Sequence, residues 1–197
     1  MPKFSVIIPS HNGENHIRKA IQSVREQMFE DYELIVVCDA CTDKTHEIAE
    51  EYGATVVSVN HERDGLSRNE GLEIATGEWI IFLDDDDWFL HNYVFSMLND
   101  VVGKQEEQVL NFSFLEKNYG YREQKPDMLY VMCWCRCCRR DFIGDTRFNG
   151  LPYGSDRQFF MDLMAKQPTI AFWNTPMYYY NADWRSWKNY IKSGEYA

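Results

Sequence analysis

Trp79-Ile80-Ile81-Phe82-Leu83 leads directly into Asp84-Asp85-Asp86-Asp87, and the predicted fold extends outward from this junction. Five apolar residues with aromatic side chains among them predict a short strand buried on both faces, as in a parallel sheet covered by helices. Four adjacent carboxylates at the end of such a strand repel one another unless a cation or hydrogen-bond donors compensate. The residues alone leave two interpretations open, a divalent metal site and a solvated acidic turn.

Three strand-and-helix units precede the junction. Continuous apolar runs predict buried strands, and apolar positions at helical spacing, such as Ile17, Ile21, Val24 and Met28, predict the helices between them. The predicted strands are Phe4–Ile8, Tyr32–Val37 and Thr55–Val59, each followed by a helix, and the third helix covers Leu66–Ala75. This alternation predicts an α/β fold with a mostly parallel central sheet and helices on both faces.

Ligands of such sheets bind outside the carboxyl ends of the strands. Those ends are Pro9–Asn12, Asp39, Asn60–Asp64 and Asp84–Asp87, and the last three carry carboxylates. No Gly-x-Gly-x-x-Gly sequence follows the first strand, and no lysine-containing phosphate loop occurs. A dinucleotide-binding protein or a P-loop enzyme is therefore disfavoured.

Length and charge limit the class of protein. The 197 residues predict a single domain over 1–197, since domains usually take roughly 100–200 residues. A net charge of −11 disfavours nucleic acid and anionic membranes as partners, because both select clustered lysine and arginine. No apolar run approaches the roughly 20 residues of a membrane span, and no signal-peptide pattern opens the chain, so we expect a cytoplasmic protein without a transmembrane segment.

Six cysteines lie at positions 38, 41, 133, 135, 137 and 138. Cys38 and Cys41 have the two-residue gap of a zinc knuckle, but the second cluster lacks a matching spacing, so structural zinc is disfavoured. The alternation across Met132–Cys137 instead predicts a strand that carries small apolar thiols in a reducing compartment.

The periodicity changes after Trp88. The predicted elements there are a helix at His91–Val102, strands at Val109–Leu115 and Met128–Cys138, a polar loop at Asn118–Asp127, a short helix or turn at Arg139–Ile143, a helix at Arg157–Lys166, and short strands at Thr169–Trp173 and Met177–Tyr180. Ser155 is the expected cap of the helix that follows it. The spacing of Trp184, Trp187 and Tyr190 predicts an amphipathic helix in the tail, Asn181–Ala197.

Four motifs in about the first 90 residues resemble, in order, the successive signatures of the family 2 glycosyltransferases. The motifs are Phe4–Asn12, Ile35–Asp43, Ser67–Gly71 and Gly77–Asp87. The resemblance implies the GT-A fold, a three-layer α/β sandwich, and inverting transfer of a sugar from a nucleotide-diphosphate donor, expected to be a UDP-sugar, to a glycan or lipid-linked acceptor. It implies a donor half at 1–90 and an acceptor half with the tail at 91–197, and it favours the metal site over the solvated turn.

The resemblance also implies a role for individual residues. Asp86 would coordinate Mn²⁺ or Mg²⁺, hard cations that bridge carboxylates to the donor phosphates, while Asp84 and Asp85 orient the ribose or the donor sugar. Asp39 matches the acid that binds the nucleotide base. The other donor-binding residues implied are Pro9, Ser10, His11 and Asn12 in the first loop and Arg68 and Asn69 in the third helix.

A weaker similarity between Cys133 and Tyr180 implies the acceptor side. Asp156 aligns with the general base that deprotonates the acceptor hydroxyl, and Trp134 aligns with the acceptor pocket. Ser155 stands where the family has Glu, so the alternative that Asp156 only caps a helix stays open, as does a capping role for Asp87.

Two other function classes are also open, a non-catalytic sugar-nucleotide-binding module and a nucleotidyltransferase. The second is the less favoured, because Pro9–Asn12 is not the Gly-rich loop that such an enzyme is expected to carry after its first strand. Cys38-Asp39-Ala40-Cys41 replaces the Asp-Asp-Gly-Ser usual in family 2, which leaves the identity of the nucleotide undecided.

Overall fold

The computed structural model describes residues 1–102, 106–127 and 129–181. In its first half, parallel strands alternate with helices, as the apolar pattern predicts. The elements are β1 (Phe4–Ser10), α1 (Ile17–Arg25), β2 (Tyr32–Asp39), α2 (Thr45–Glu51), β3 (Thr55–Val59), α3 (Asp64–Ile74) and β4 (Trp79–Phe82). β1 pairs with β2 on one side and with β4 on the other, and β2 pairs with β3.

The second half extends the same sheet with strands of both directions. Its elements are β5 (Trp88–Phe89), α4 (Val94–Val102), β6 (Val109–Glu116), β7 (Gly120–Arg122), a 3-10 turn (Cys133–Cys135), β8 (Arg136–Arg139), α5 (Arg140–Ile143), α6 (Ser155–Ala165) and β9 (Ile170–Tyr180). The strand order is β3-β2-β1-β4-β8-β6-β9-β5, and β7 pairs with β6. β8 is antiparallel to both of its neighbours, whereas β6 and β9 are parallel.

Helices cover both faces of this sheet. Because side chains alternate along β1, Val6 and Ile8 enter one core together with Leu98 of α4, while Ile7 enters a second core with Leu72 of α3. The three strand residues and Leu98 have no solvent-accessible surface, and Leu72 is nearly buried. The predicted three-layer α/β class, with a mostly parallel sheet, is confirmed.

Two predicted strand assignments in the second half are wrong. Cys133–Cys135, inside the strand predicted at Met128–Cys138, forms a 3-10 turn, and β8 covers only Arg136–Arg139. The turn is fixed from outside the sheet, because the amide of Cys133 donates to Asp156 Oδ2 at 3.1 Å. The two short strands predicted at Thr169–Trp173 and Met177–Tyr180 belong to a single strand, β9. β9 pairs with β6 on both sides of a register shift between Phe112 and Phe114.

Smaller corrections concern helix ends and loops. Ser155 is the first residue of α6 instead of its cap, because Gly154 at φ +75° precedes it and Ser155 Oγ donates to the carbonyl of Asn149 at 3.0 Å. Met28 lies beyond the end of α1 and is 73% exposed. The loop predicted at Asn118–Asp127 contains β7.

The predicted tail helix, apart from its first residue, lies outside the described residues. Across residues 1–102, 106–127 and 129–181, no helix has both the length and the apolar character needed to cross a membrane.

Candidate active site

Two adjoining clefts open at the carboxyl ends of β1 and β4. Their volumes are about 260 Å³ and about 380 Å³. The first is lined by Pro9, Ser10, His11, His16, Asp64, Arg68, Asp84, Asp85 and Asp86. Asp64, Arg68 and Asp84 also line the second cleft, so the two clefts share a wall.

The rest of the second cleft comes mostly from the second half of the chain. These lining residues are Gly65, Val131, Met132, Trp134, Leu151, Pro152, Tyr153, Gly154, Ser155, Asp156 and Tyr180. Trp134 is only 2% exposed, and its ring stacks on those of Tyr178 and Tyr180 at centroid distances of 4.6 and 4.7 Å. The structure thus brings Asp156 and Trp134 into one cleft, next to the acid-lined one.

Arg68 lies between the acids of the two clefts. Its Nη2 donates to Asp84 Oδ1 at 2.6 Å, and its Nη1 lies 3.7 Å from Asp156 Oδ1. The Arg68 side chain is 6% exposed, against 26% for Asp84 and 25% for Asp156. Burial by itself lowers the pKa of Arg68, but the neighbouring Cys133, Asp156 and Asp84 outweigh burial and raise this pKa well above its usual value. Arg68 is therefore a permanent cation in the shared wall.

Two side chains at the end of β1 and just before α1, Ser10 and His16, contact the acidic turn at Asp84–Asp87. Ser10 Oγ donates to Asp85 Oδ2, and His16 Nδ1 lies 3.7 Å from Asp85 Oδ1. Burial raises the pKa of Asp84 to about 7 and that of Asp85 to about 6, and the charge of Asp86 adds to both shifts. Ionised carboxylates are therefore costly in this turn, and a bound cation would stabilise them.

The oxygen donors of this turn fit a divalent cation that arrives with a ligand. Within the described ranges of the chain, no three His, Cys, Asp or Glu side chains are grouped so that they could hold a metal ion by themselves. Mg²⁺, however, is commonly held by one or two carboxylates together with substrate phosphates. Asp86 lines the first cleft beside Asp84 and Asp85, which places it where a diphosphate and a cation could meet.

Asp39 stands at the end of β2 and organises the loop that leads into α3. Its Oδ1 accepts the amides of His61 and Glu62 at 2.6 and 2.9 Å. Its Oδ2 accepts the amide of Arg63 at 3.0 Å and the hydroxyl of Ser67 at 2.7 Å. Burial raises the pKa of Asp39, but these four hydrogen bonds outweigh burial and lower it overall. The carboxylate thus has a structural function in this loop, whatever it binds.

The first loop is pinned to the end of β2. His11 Nδ1 lies 2.7 Å from the carbonyl oxygen of Asp39, and Asn12, at φ +55°, accepts the amide of Thr42 at 2.8 Å. Pro9, Ser10 and His11 line the first cleft, and Asn12 is not among its lining residues. Asn69, by contrast, holds a different loop. Its side-chain amide exchanges two hydrogen bonds of 2.9 Å with the main chain of Phe148 and so anchors the loop that contains Phe148.

Asp87 faces the interior, unlike the three acids before it. It has no exposed surface, and its carboxylate accepts the hydroxyl of Tyr178 at 2.6 Å and the amide of Asn181 at 2.7 Å. Sequence reasoning misses Tyr178, because nothing in an aromatic-rich strand distinguishes one tyrosine from its neighbours. The sequence places Asp64 only within the strand end Asn60–Asp64 and gives it no role of its own, whereas in the structure it is the first residue of α3 and lines both clefts.

The fold and these clefts define an α/β domain with an acid-lined ligand site at the carboxyl edge of its sheet. The chain belongs to glycosyl transferase family 2, whose sequence profile matches residues 5–195 of this chain. The resemblance carried by the four motifs is therefore confirmed at the level of the family.

Named relatives of this chain include two larger bacterial proteins. Glycosyltransferase GlyA of Streptococcus pneumoniae is 34% identical over 210 residues, which cover 90% of this chain and 30% of GlyA. The minor teichoic acid biosynthesis protein GgaB of Bacillus subtilis is 28% identical over 203 residues, which cover 90% of this chain and 23% of GgaB. The chain thus spans less than a third of the length of either protein.

Solved structures show the same fold. S. aureus TarS 1-349 in complex with UDP-GlcNAc superposes with a TM-score of 0.79 at 24% identity, covering 90% of this chain and 58% of that one. Glucosyl-3-phosphoglycerate synthase from Mycobacterium tuberculosis, in complex with Mn²⁺, UDP and glucosyl-3-phosphoglycerate, superposes with a TM-score of 0.74 at 19% identity. This match covers 98% of this chain and 76% of the synthase chain.

Proposed function

We propose that this domain is an inverting, metal-dependent glycosyltransferase that moves a sugar from a UDP-sugar to a hydroxyl of a glycan or lipid-linked acceptor. The position of Arg68 carries this proposal. Arg68 pairs with Asp84 in the wall of the first cleft and lies 3.7 Å from Asp156 in the second. A single buried cation thereby holds a donor-side acid next to an acceptor-side acid, which is the proximity that transfer between two bound substrates requires.

The first cleft suits the nucleotide-diphosphate donor. In this proposal Pro9, Ser10 and His11 contact the base and ribose, and one of the four present hydrogen bonds of Asp39 gives way when Asp39 receives the base at the end of β2. The UDP-GlcNAc complex of TarS and the UDP complex of glucosyl-3-phosphoglycerate synthase support this assignment, since both proteins share the fold. In this proposal 1–90 is the donor half, and the described part of 91–197 supplies most of the lining of the second cleft.

The acidic turn suits the diphosphate and its cation. Asp86 would hold Mn²⁺ or Mg²⁺, with Asp84 and Asp85 oriented toward the ribose or the donor sugar. A cation bound there would neutralise charge that develops on the diphosphate leaving group. Arg68, fixed at 2.6 Å from Asp84, adds a permanent positive charge to the same wall.

Asp156 is the general base of this proposal. Its carboxylate takes the proton of the acceptor hydroxyl as that oxygen attacks the anomeric carbon from the face opposite the diphosphate. The anomeric carbon–oxygen bond to the diphosphate breaks, and UDP leaves with the bonding electron pair. The amide of Cys133, 3.1 Å from Asp156 Oδ2, and the guanidinium of Arg68 orient the carboxylate from two sides.

In this proposal Trp134 forms part of the acceptor wall, where its buried ring, stacked on Tyr178 and Tyr180, supports the residues that meet the acceptor. The name of GgaB, a teichoic acid biosynthesis protein, supports a polymeric glycan as acceptor. Free thiols at all six cysteines fit our expectation that the domain works in the reducing cytoplasm.

The deciding experiment combines nucleotide binding with product analysis. The chain is incubated with UDP-sugars, an acceptor panel and Mn²⁺, and thermal shift and released UDP are measured. We expect UDP to raise Tm more when Mn²⁺ is present than without it, and Asp86→Ala to abolish both this Mn²⁺-dependent increase and UDP release.

Each contrary result identifies a different failure. Binding of UDP without turnover would make the domain a non-catalytic sugar-nucleotide-binding module. Release of pyrophosphate from UTP would make it a nucleotidyltransferase. Stabilisation by no nucleoside diphosphate, with or without Mn²⁺, would overturn the whole proposal.

A further inference from the structure

A buried chain of hydrogen bonds connects the acidic turn to β9. The amide of Asp84 donates to the hydroxyl oxygen of Tyr178 at 3.1 Å, and this hydroxyl donates in turn to Asp87 Oδ2 at 2.6 Å. The second carboxylate oxygen of Asp87 accepts the amide of Asn181 at 2.7 Å. Both Asp87 and Tyr178 have no exposed surface.

The same chain fixes both ends of Asp84. While its amide is held by Tyr178, its carbonyl oxygen accepts the amide of Asp87 at 3.1 Å. The amides of Asp84 and Asn181 can only donate, and with Asp87 ionised the single hydroxyl proton of Tyr178 goes to its carboxylate. Asp87 is buried and does not line the first cleft, so its role differs from that of the three acids that do.

Tyr178 also reaches the second cleft through its ring. The ring stacks on Trp134 with centroids 4.6 Å apart and planes 11° apart, and it meets Phe89 edge-on at 6.1 Å. Trp134 lines the second cleft, whereas Asp84 lines both. One buried tyrosine thus contacts the main chain of the acidic turn with its hydroxyl and the wall of the acceptor cleft with its ring.

We propose that Tyr178 and Asp87 are positioning residues that hold the acidic turn in the orientation in which Asp86 and Asp84 receive the cation and the diphosphate. This inference rests on the proposed function of the clefts. The hydroxyl fixes the start of the turn, and the buried carboxylate fixes the hydroxyl. Neither residue touches substrate; both act through the turn.

The test compares UDP affinity with and without Mn²⁺, measured by titration calorimetry. Tyr178→Phe keeps the ring stack but removes the hydroxyl, and Asp87→Asn keeps the shape but places an amide against the hydroxyl of Tyr178. Tyr178→Phe removes both hydrogen bonds of the hydroxyl and Asp87→Asn disturbs one of them, and each variant should weaken Mn²⁺-supported UDP binding by about tenfold or more. Metal-independent UDP binding, which depends on the first loop, should change little, so the ratio of the two affinities falls.

Leu98→Ala is the matched control, because Leu98 lies in the core at α4, and its loss lowers Tm without touching the turn. A merely structural role would lower Tm in Tyr178→Phe and leave the affinity ratio at the wild-type level, as in Leu98→Ala. That result would overturn the inference alone, while a wild-type chain that fails to bind UDP would overturn the proposed function as well. If Tyr178→Phe does not fold, Asp87→Asn decides by the same ratio.

The double variant gives an independent check. Because both residues act on one hydrogen-bonded chain, Tyr178→Phe combined with Asp87→Asn should lower the ratio about as much as the more damaging single variant. Additive losses would show that the two side chains act separately, which contradicts the proposed chain.

Discussion

Arg68 Nη2 donates to Asp84 Oδ1 at 2.6 Å, inside the wall that separates the two clefts. The pair joins α3 to the end of β4, and the Arg68 side chain is only 6% exposed. A guanidinium this deeply buried needs its acidic partners, and they need it, because removing one member of a buried pair leaves an uncompensated charge. The ion pair therefore links the stability of the fold to the geometry of the proposed site.

We predict that Arg68→Met destabilises the chain by about 2–4 kcal/mol, because Asp84 and Asp156 both lose their cation in a partly buried site. Urea unfolding measures the change. Arg18→Met is the control, since Arg18 pairs with Glu51 at 3.4 Å between side chains that are 49% and 63% exposed, and the loss of such a pair costs under about 1 kcal/mol. Equal effects of the two substitutions would show that the shared wall does not depend on Arg68.

The hydrogen-bonded carboxylate of Asp39 makes the free energy of unfolding depend on pH in the acid range. Its folded pKa is depressed, because four hydrogen bonds outweigh burial. A depressed folded pKa contributes stability that is present above the unfolded pKa, about 3.9, and is lost as the pH falls through the folded pKa.

We therefore predict that Asp39→Asn destabilises the chain by about 2 kcal/mol at pH 7, because an amide presents its nitrogen to donors that one carboxylate oxygen accepted. The difference from the wild type should shrink steadily below about pH 4. Urea unfolding across the acid range checks both statements. The exposed Asp31→Asn should shift stability by less than about 0.5 kcal/mol, and a constant Asp39→Asn deficit at every pH would contradict the assigned role.

The first half of the fold could be predicted because β1 and β4 are buried on both faces. Phe4–Ser10 is apolar except at Ser5 and Ser10, and Trp79–Phe82 is apolar throughout. Such runs are visible in sequence alone. The carboxyl ends of parallel strands then locate the cleft without any knowledge of contacts.

The elements of the second half were predicted less accurately, because they depend on contacts with residues distant in sequence. β8 is Arg-Cys-Cys-Arg, which has no strand period, and Arg136 is buried there at 3% exposure. The contact of Asp87 with Tyr178 joins residues 91 positions apart. No local pattern distinguishes Asp87 from the three acids before it, although it alone among the four has no exposed surface.

We predict that Asp156→Asn lowers turnover about 10²–10⁴-fold, because the acceptor hydroxyl loses its general base. UDP binding in the presence of Mn²⁺ should stay within about twofold of the wild type, since Asp156 lies in the second cleft only. Asp162→Asn is the matched control on α6, where Asp162 is exposed and accepts Gln158 at 2.7 Å. Turnover that survives in Asp156→Asn would remove Asp156 from the proposed mechanism and leave the donor site intact.

Gly13 lies against the acidic turn, and we predict that its replacement by alanine selectively weakens donor binding. A methyl group at this position would overlap Ser10 Oγ and come within 2.6 Å of Asp85 Oδ2 and 3.3 Å of His16 Cε1. Ser10 and Asp85 are bonded to each other in the wall of the first cleft, so the methyl group must push them apart or displace the turn. We expect Gly13→Ala to weaken UDP binding about tenfold with Mn²⁺ present, roughly the effect of one lost hydrogen bond.

Gly150→Ala serves as the matched control for this substitution, because its methyl group would meet Leu66 at an ordinary 3.6 Å. Calorimetric titration of UDP measures both variants, and thermal unfolding shows whether each is folded. Gly13→Ala should bind UDP weakly while its Tm stays within a few degrees of the wild type, since only side chains at the cleft are displaced. Wild-type UDP affinity in Gly13→Ala would show that the pair of Ser10 and Asp85 does not contact the donor, and the donor cleft would have to be placed elsewhere on the edge of the sheet.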